Sequence, residues 1–180
     1  MIKTPAQKSQ EKAKGYSIWL LPDDKSTHLL QGTIDTLSAR FHSPVFQPHI
    51  TLLGQLEGDQ LSIMGSFNML CKGVHPFMLG VRGIAYQNVF FRSMFCELSE
   101  TGELMALNQL ARERYGRETD KAYFPHLSLL YSHKSEAEKQ TAVKSLKPQY
   151  PDLMTIASFA LVKTQGEVGD WELLKRFELS

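Results

Sequence analysis

The chain has 180 residues, 42% of them hydrophobic and 22% charged. That balance excludes a disordered chain, and the length suits one domain, or two lobes sharing a core, that needs no disulfide or metal staple. The 20 Lys and Arg residues against 19 Asp and Glu leave a formal charge of +1. Such a charge argues against a protein that grips long nucleic acid by its backbone, but allows one local site for a small phosphate-bearing ligand.

Residues 1–14 are polar, carry Lys3, Lys8, Lys12 and Lys14, and lack the apolar middle of a secretory signal, so a flexible arm is expected there. Tyr16 to Leu21 is aromatic and branched and stops at Pro22, which predicts a strand. Leu30, Ile34, Leu37 and Phe41 recur at helical spacing, which predicts a helix from Ser26, its cap, to Phe41. Gly32 weakens this helix by about 1 kcal/mol without breaking it. A short strand over His49 to Gly54 precedes a helix from Asp59 to about Lys72, with Gly73 placed to end it. Phe77 to Tyr86 and Val89 to Leu98 read as a hairpin turning at Gln87-Asn88. A helix from Glu103 to Tyr115 stops at Gly116, a strand spans Tyr123 to Tyr131, and Ser135 with Glu138 forms a capping box for a helix to Leu146. Met154 to Lys163 and Trp171 to Leu179 are closing strands joined by a turn over Gly166 to Asp170. This order predicts an α+β fold with antiparallel sheets, and residues 15–180 contain no interdomain linker.

One pattern occurs twice. Phe46-Gln-Pro-His-Ile-Thr-Leu-Leu53 returns as Tyr123-Phe-Pro-His-Leu-Ser-Leu-Leu130, which suggests two related lobes. On a strand, residues two apart share a face, so His49 points with Thr51 and His126 with Ser128, while Ile50, Leu52, Leu127 and Leu129 point into apolar cores. Pro48 and Pro125 suit the first residue of a strand, where no ladder N–H is needed. An approximate two-fold would place both pairs on one groove. Two imidazoles there could act as general base and general acid, and two hydroxyls could hold the oxygens of a phosphate, without a metal or other cofactor.

These residues resemble the signature of the 2H phosphoesterases, which carry two histidine-x-hydroxyl motifs. Tyr16 to Asp24, Tyr123 to Tyr131, Ala160-Leu-Val-Lys-Thr164 and Trp171-Glu172 also resemble the plant- and yeast-type cyclic nucleotide phosphodiesterases, over roughly Gly15 to Leu179. The resemblance implies a bilobal fold of two pseudo-symmetric lobes, with sheets facing a central groove and helices outside. It implies hydrolysis of nucleoside 2′,3′-cyclic phosphates to 2′-phosphates, and of ADP-ribose 1″,2″-cyclic phosphate to the 1″-phosphate. It carries over His49, Thr51, His126 and Ser128 as the catalytic set, and Trp19, Phe91 (or Phe90) and Tyr131 as aromatics lining the groove.

As a reading of the residues alone, those aromatics would form a stacking platform for a base, with core packing the alternative for Trp19. Tyr131 lies five after His126, so on a straight strand it faces the other way; a bend or a strand end must turn it inward. Arg92, beside the hairpin aromatics, reads as a solvated surface residue, with contact to a phosphate the alternative, and Lys163 as an outward strand lysine or a groove residue. His28, His42, His75 and His133 lack the motif's neighbours and read as surface or structural. Cys71 and Cys96 match no metal or redox spacing and read as buried thiols in a reducing cytoplasm. The longest apolar runs fall far short of the roughly 18 residues a spanning helix needs. The expectation is thus a monomeric cytoplasmic enzyme for a small cyclic nucleotide, with no membrane or long nucleic acid as partner. An enzyme acting on RNA ends and a nucleotide-binding module without turnover are the alternatives.

Overall fold

The computed structural model describes residues 11–180. Most of the expected arm lies outside the described residues. Of its remainder, Ala13 pairs with Gly166 through two backbone hydrogen bonds of 2.8 and 3.1 Å. Seven strands and four α-helices follow: β1 (Tyr16–Pro22), α1 (Asp24–Phe41), β2 (Ile50–Leu56), α2 (Gln60–Cys71), β3 (Phe77–Tyr86), β4 (Met94–Leu98), α3 (Gly102–Tyr115), β5 (His126–Leu130), α4 (Glu136–Leu146), β6 (Leu153–Lys163) and β7 (Glu172–Glu178). No helix among the described residues is long and apolar enough to cross a membrane.

Local chemistry places most boundaries near their expected positions. Gly116 ends α3 in the left-handed region at φ 63°, and Ser135 and Glu138 close the capping box of α4. Strand β2 runs two residues past Gly54, to Leu56, and three further boundaries differ for reasons visible in the contacts. Helix α1 starts two residues ahead of Ser26, because Asp23 is the better cap: one carboxylate oxygen accepts from the Ser26 N–H at 2.9 Å, and the other from the Ser26 hydroxyl and the Thr155 N–H of β6. The hairpin between β3 and β4 is wider than two residues; Phe90–Arg92 forms a 3₁₀ turn and β4 begins at Met94, because Phe90 is buried rather than paired. Strand β5 begins at His126, since Tyr123, Phe124 and Pro125 approach it as an irregular segment.

All strand pairings are antiparallel, in the order β1-β2-β5-β4-β3-β6-β7, with β1 also pairing β6. The long strand β6 serves both lobes: its first residues pair β3, and Ser158 to Lys163 pair β7. On the opposite side the lobes join through one backbone pair, Ile50 on β2 with Leu127 on β5. The two histidine motifs flank that pair. Ile50, Leu52, Leu127 and Leu129 are fully buried on the face covered by α1 and α3. Each such side chain contributes about 1.5–3 kcal/mol to holding the junction shut. At the entry to β1, Gly15 has φ 69°, and a Cβ there would collide with the Leu56 carbonyl, so the start of β1 can lie against the end of β2 only as glycine.

Candidate active site

The antiparallel order around Ile50 and Leu127 puts His49 abreast of Ser128 and Thr51 abreast of His126. The two imidazoles are near enough for the charge of His126 to weigh on the titration of His49. All four side chains line one cavity of about 600 Å³.

The same bond orients each imidazole. His49 Nδ1 lies 2.7 Å from the Gln47 carbonyl, and His126 Nδ1 lies 2.9 Å from the Phe124 carbonyl. A carbonyl only accepts, so Nδ1 carries the proton in both rings, and Nε2 is the atom with a free lone pair when the ring is neutral. Pro48 and Pro125 stand between each histidine and its acceptor and stiffen both approaches. The tautomer is thereby assigned from the partner, twice and identically.

The surroundings are not identical. His49 is 5% exposed and stacks on Trp19, ring centroids 3.6 Å apart and 12° from parallel. Burial pushes it down to about 4, against the pull of the Gln47 carbonyl and with a further push from His126. His126 is half-buried, with Phe95 at 5.5 Å and Phe124 at 5.7 Å. Burial lowers its pKa as well, the Phe124 carbonyl opposes this, and the Arg92 charge adds to it.

The hydroxyls differ too. The Ser128 hydroxyl donates to the Phe91 carbonyl at 2.9 Å, whereas Thr51 is held by its backbone, its carbonyl accepting from the Tyr123 hydroxyl at 3.0 Å. Each repeat braces the other through the aromatic three residues before its histidine. Tyr123, heading the second motif, bonds Thr51 of the first; Phe46, heading the first, stacks at 3.8 Å on Tyr131, which follows the second. Neither residue stands among the expected site residues, although their matched positions in the two copies were a visible signal.

Trp19, Phe91 and Tyr131 all line the cavity. Phe90 is buried behind Phe91 at 5.0 Å. One face of Trp19 is covered by His49, so this tryptophan supports an imidazole in addition to walling the cavity. Tyr131 reaches the cavity because β5 ends at Leu130 and because the β4–β5 register slips between Met94 and Phe95, leaving Leu129 as the extra residue of a bulge. Burial raises its phenol, and the nearby Ser128 hydroxyl offsets part of that. Trp171 completes the aromatic wall, 5.9 Å from Phe91 and 6.1 Å from Tyr131. Arg92 lines the cavity instead of standing in solvent, while Lys163, His28, His42, His75 and His133 lie outside it. Cys71 and Cys96 are buried free thiols, each pushed up to about 12 by burial.

Paired histidine-x-hydroxyl motifs on one cavity of an antiparallel α+β fold define a 2H phosphoesterase. The model of the family described as "Cyclic phosphodiesterase-like protein" matches residues 14–179. The chain belongs to that family and is a phosphodiesterase. It is 32% identical to "Cyclic phosphodiesterase" of Arabidopsis thaliana over 71% of this chain and 70% of that protein. It is 25% identical to "2′,3′-cyclic-nucleotide 3′-phosphodiesterase" of Yarrowia lipolytica over 89% of this chain and 97% of that protein. Among solved structures, E. coli LigT complexed with 3′-AMP superposes with a TM-score of 0.61 at 14% identity, covering 94% of this chain and 99% of that one, a likeness of fold.

Proposed function

We propose that the chain hydrolyses nucleoside 2′,3′-cyclic phosphates and ADP-ribose 1″,2″-cyclic phosphate by two-histidine acid–base catalysis. The observation that carries this reading is the pair of imidazoles on one cavity, each with Nδ1 tied to a carbonyl and Nε2 left for proton transfer. One neutral Nε2 takes a proton from the attacking water as its oxygen bonds to phosphorus. The other imidazole, protonated, gives its Nε2 proton to the ribose oxygen as the bond from that oxygen to phosphorus breaks. Thr51 donates to a non-bridging oxygen; Ser128 does so by releasing the Phe91 carbonyl. The aromatic wall of Trp19, Phe91, Tyr131 and Trp171 takes a base.

The name of the Yarrowia lipolytica relative supports a 2′,3′-cyclic nucleotide as substrate and cleavage at the 3′ oxygen, and that of the Arabidopsis thaliana relative supports a cyclic phosphodiester. The 3′-AMP bound by the E. coli protein supports a small nucleotide as ligand. The cavity continues past the motifs along Asn108, Arg112 and Arg117, which leaves room for the second half of a dinucleotide. The two free, unreactive thiols suit a reducing cytoplasm. Product analysis on adenosine 2′,3′-cyclic phosphate and ADP-ribose 1″,2″-cyclic phosphate, side by side with a chelator present, tests the reading. The expected products are 2′-AMP and ADP-ribose 1″-phosphate; binding of both without turnover would make the chain a nucleotide-binding module instead.

A further inference from the structure

The turn between β3 and β4 is held from behind. Lys139 on α4 is fully buried, and its Nζ donates to the Gln87 carbonyl at 2.9 Å, the Ser93 carbonyl at 3.0 Å and the Ser93 hydroxyl at 3.3 Å. A buried lysine is costly unless its protons are satisfied, so this one is spent on fixing both ends of the turn. From the front, Ser128 holds the Phe91 carbonyl and the Ser132 N–H holds the Phe90 carbonyl at 3.3 Å. The turn presents Val89, Phe91 and Arg92 to the cavity.

Arg92 is itself placed. Its Nε donates to Gln87 Oε1 at 2.6 Å, and its guanidinium carbon lies 5.4 Å from the centroid of the Phe124 ring, beside His126. Among the described residues no carboxylate comes within ion-pair distance of it. The result is a fixed, planar cation without a counter-ion on the wall of a cavity that contains two imidazoles. A guanidinium fork matches two phosphate oxygens in a way no other side chain does.

We propose that Arg92 is a substrate-binding residue, taking the non-bridging oxygens of the phosphodiester on the His126 side and so selecting an anionic ligand. The proposal rests on the phosphodiester reading of the site and adds to it the residue that recognises the anion. It has an electrostatic consequence. The charged and titratable neighbours of His126 are Arg92 from the turn, His49 just ahead of β2, and Glu97, its partner in the β4–β5 register. With the cavity empty, Arg92 works against a proton on His126; a bound phosphate cancels that charge, and His126 then takes a proton more readily.

The test follows the His126 ring by NMR titration, without and with inorganic phosphate, in the wild-type protein, Arg92→Gln and Arg92→Lys. Initial rates on adenosine 2′,3′-cyclic phosphate are measured in parallel. In the wild type, phosphate should raise the His126 pKa. Arg92→Gln should raise it in the free protein, weaken phosphate binding about tenfold to hundredfold, and raise KM more than it lowers kcat. Arg92→Lys keeps the charge and so the wild-type titration of the free protein, but binds phosphate severalfold more weakly because the fork is gone. A residue that merely packs on Phe124 would lower Tm in the Gln variant and leave the titration and phosphate affinity alone, which would overturn the proposal. So would phosphate binding in the Lys variant as tight as wild type, should the Gln variant not fold. A wild-type protein that binds phosphate through Arg92 but turns over no cyclic nucleotide would sink the proposed function and not this residue's role.

Discussion

The first and second motifs are near copies in sequence, but their surroundings divide the work unequally. Around His49 the protein is dry: Trp19 stacks on the ring, Phe46 stands 6.2 Å away edge-on, and the imidazole is nearly inaccessible. Around His126 it is half-open and charged, with Phe124 and Arg92 at the rim. The hydroxyls differ in the same sense, Thr51 being positioned through its carbonyl and Ser128 already bonded to the turn that carries Phe91. A duplicated motif thus supplies two equivalent Nε2 atoms, and the environment makes them unequal, as the proposed acid and base roles on one phosphate require.

Removing either ring should have the largest effect. His49→Ala and His126→Ala are each expected to lose about 10²–10⁴-fold in kcat, read from initial rates, with the fold intact by circular dichroism. Next is the stacking partner. Trp19→Ala should cost about 3–5 kcal/mol in denaturant unfolding and let water reach His49, raising that ring's pKa; Phe124→Ala, at the half-open side, should cost far less, and equal losses would contradict the contrast between the two halves.

A third prediction concerns pH and stability. The His49 imidazole titrates lower in the folded chain than the ordinary 6.5, at about 4. Its contribution is therefore complete above pH 6.5. It is lost as pH falls from 6.5 to about 4, because the unfolded chain takes the proton first. The loss amounts to about 3 kcal/mol, measurable by unfolding at pH 7 and pH 4, and His49→Gln should remove that share of the pH dependence. The smallest effects separate the hydroxyls. Thr51→Ala should cost roughly 1.5–3 kcal/mol of transition-state binding with little change in stability, whereas Ser128→Ala should also lower folding stability by about 1 kcal/mol, because it frees the Phe91 carbonyl. Equal stabilities in the two variants would mean that the Ser128 bond is not structural.

Much of this was legible in the sequence because it is written twice. The repeated Pro-His-x-hydroxyl pattern identifies the four central side chains and, through strand alternation, their common face. What escaped depends on contacts between distant segments. The inward turn of Tyr131 needs the bulge at Leu129, which is a property of the β4–β5 pairing and not of β5 alone. Lys139 looks like any solvated lysine on a helix until α4 is laid over the turn that it pins. Arg92 looks exposed until Gln87 and Phe124 hold it on the cavity wall. Asp23 took the cap from Ser26 because it also serves Thr155, a partner on a strand far along the chain.

The pH dependence of kcat/KM on adenosine 2′,3′-cyclic phosphate tests most directly whether two imidazoles of opposite protonation act on one phosphate. A bell is predicted, with its acid limb near 4 from His49 and its alkaline limb below 6.5 from His126. A profile with a single limb, or one that stays bell-shaped with both limbs unmoved in His126→Ala, would contradict the account.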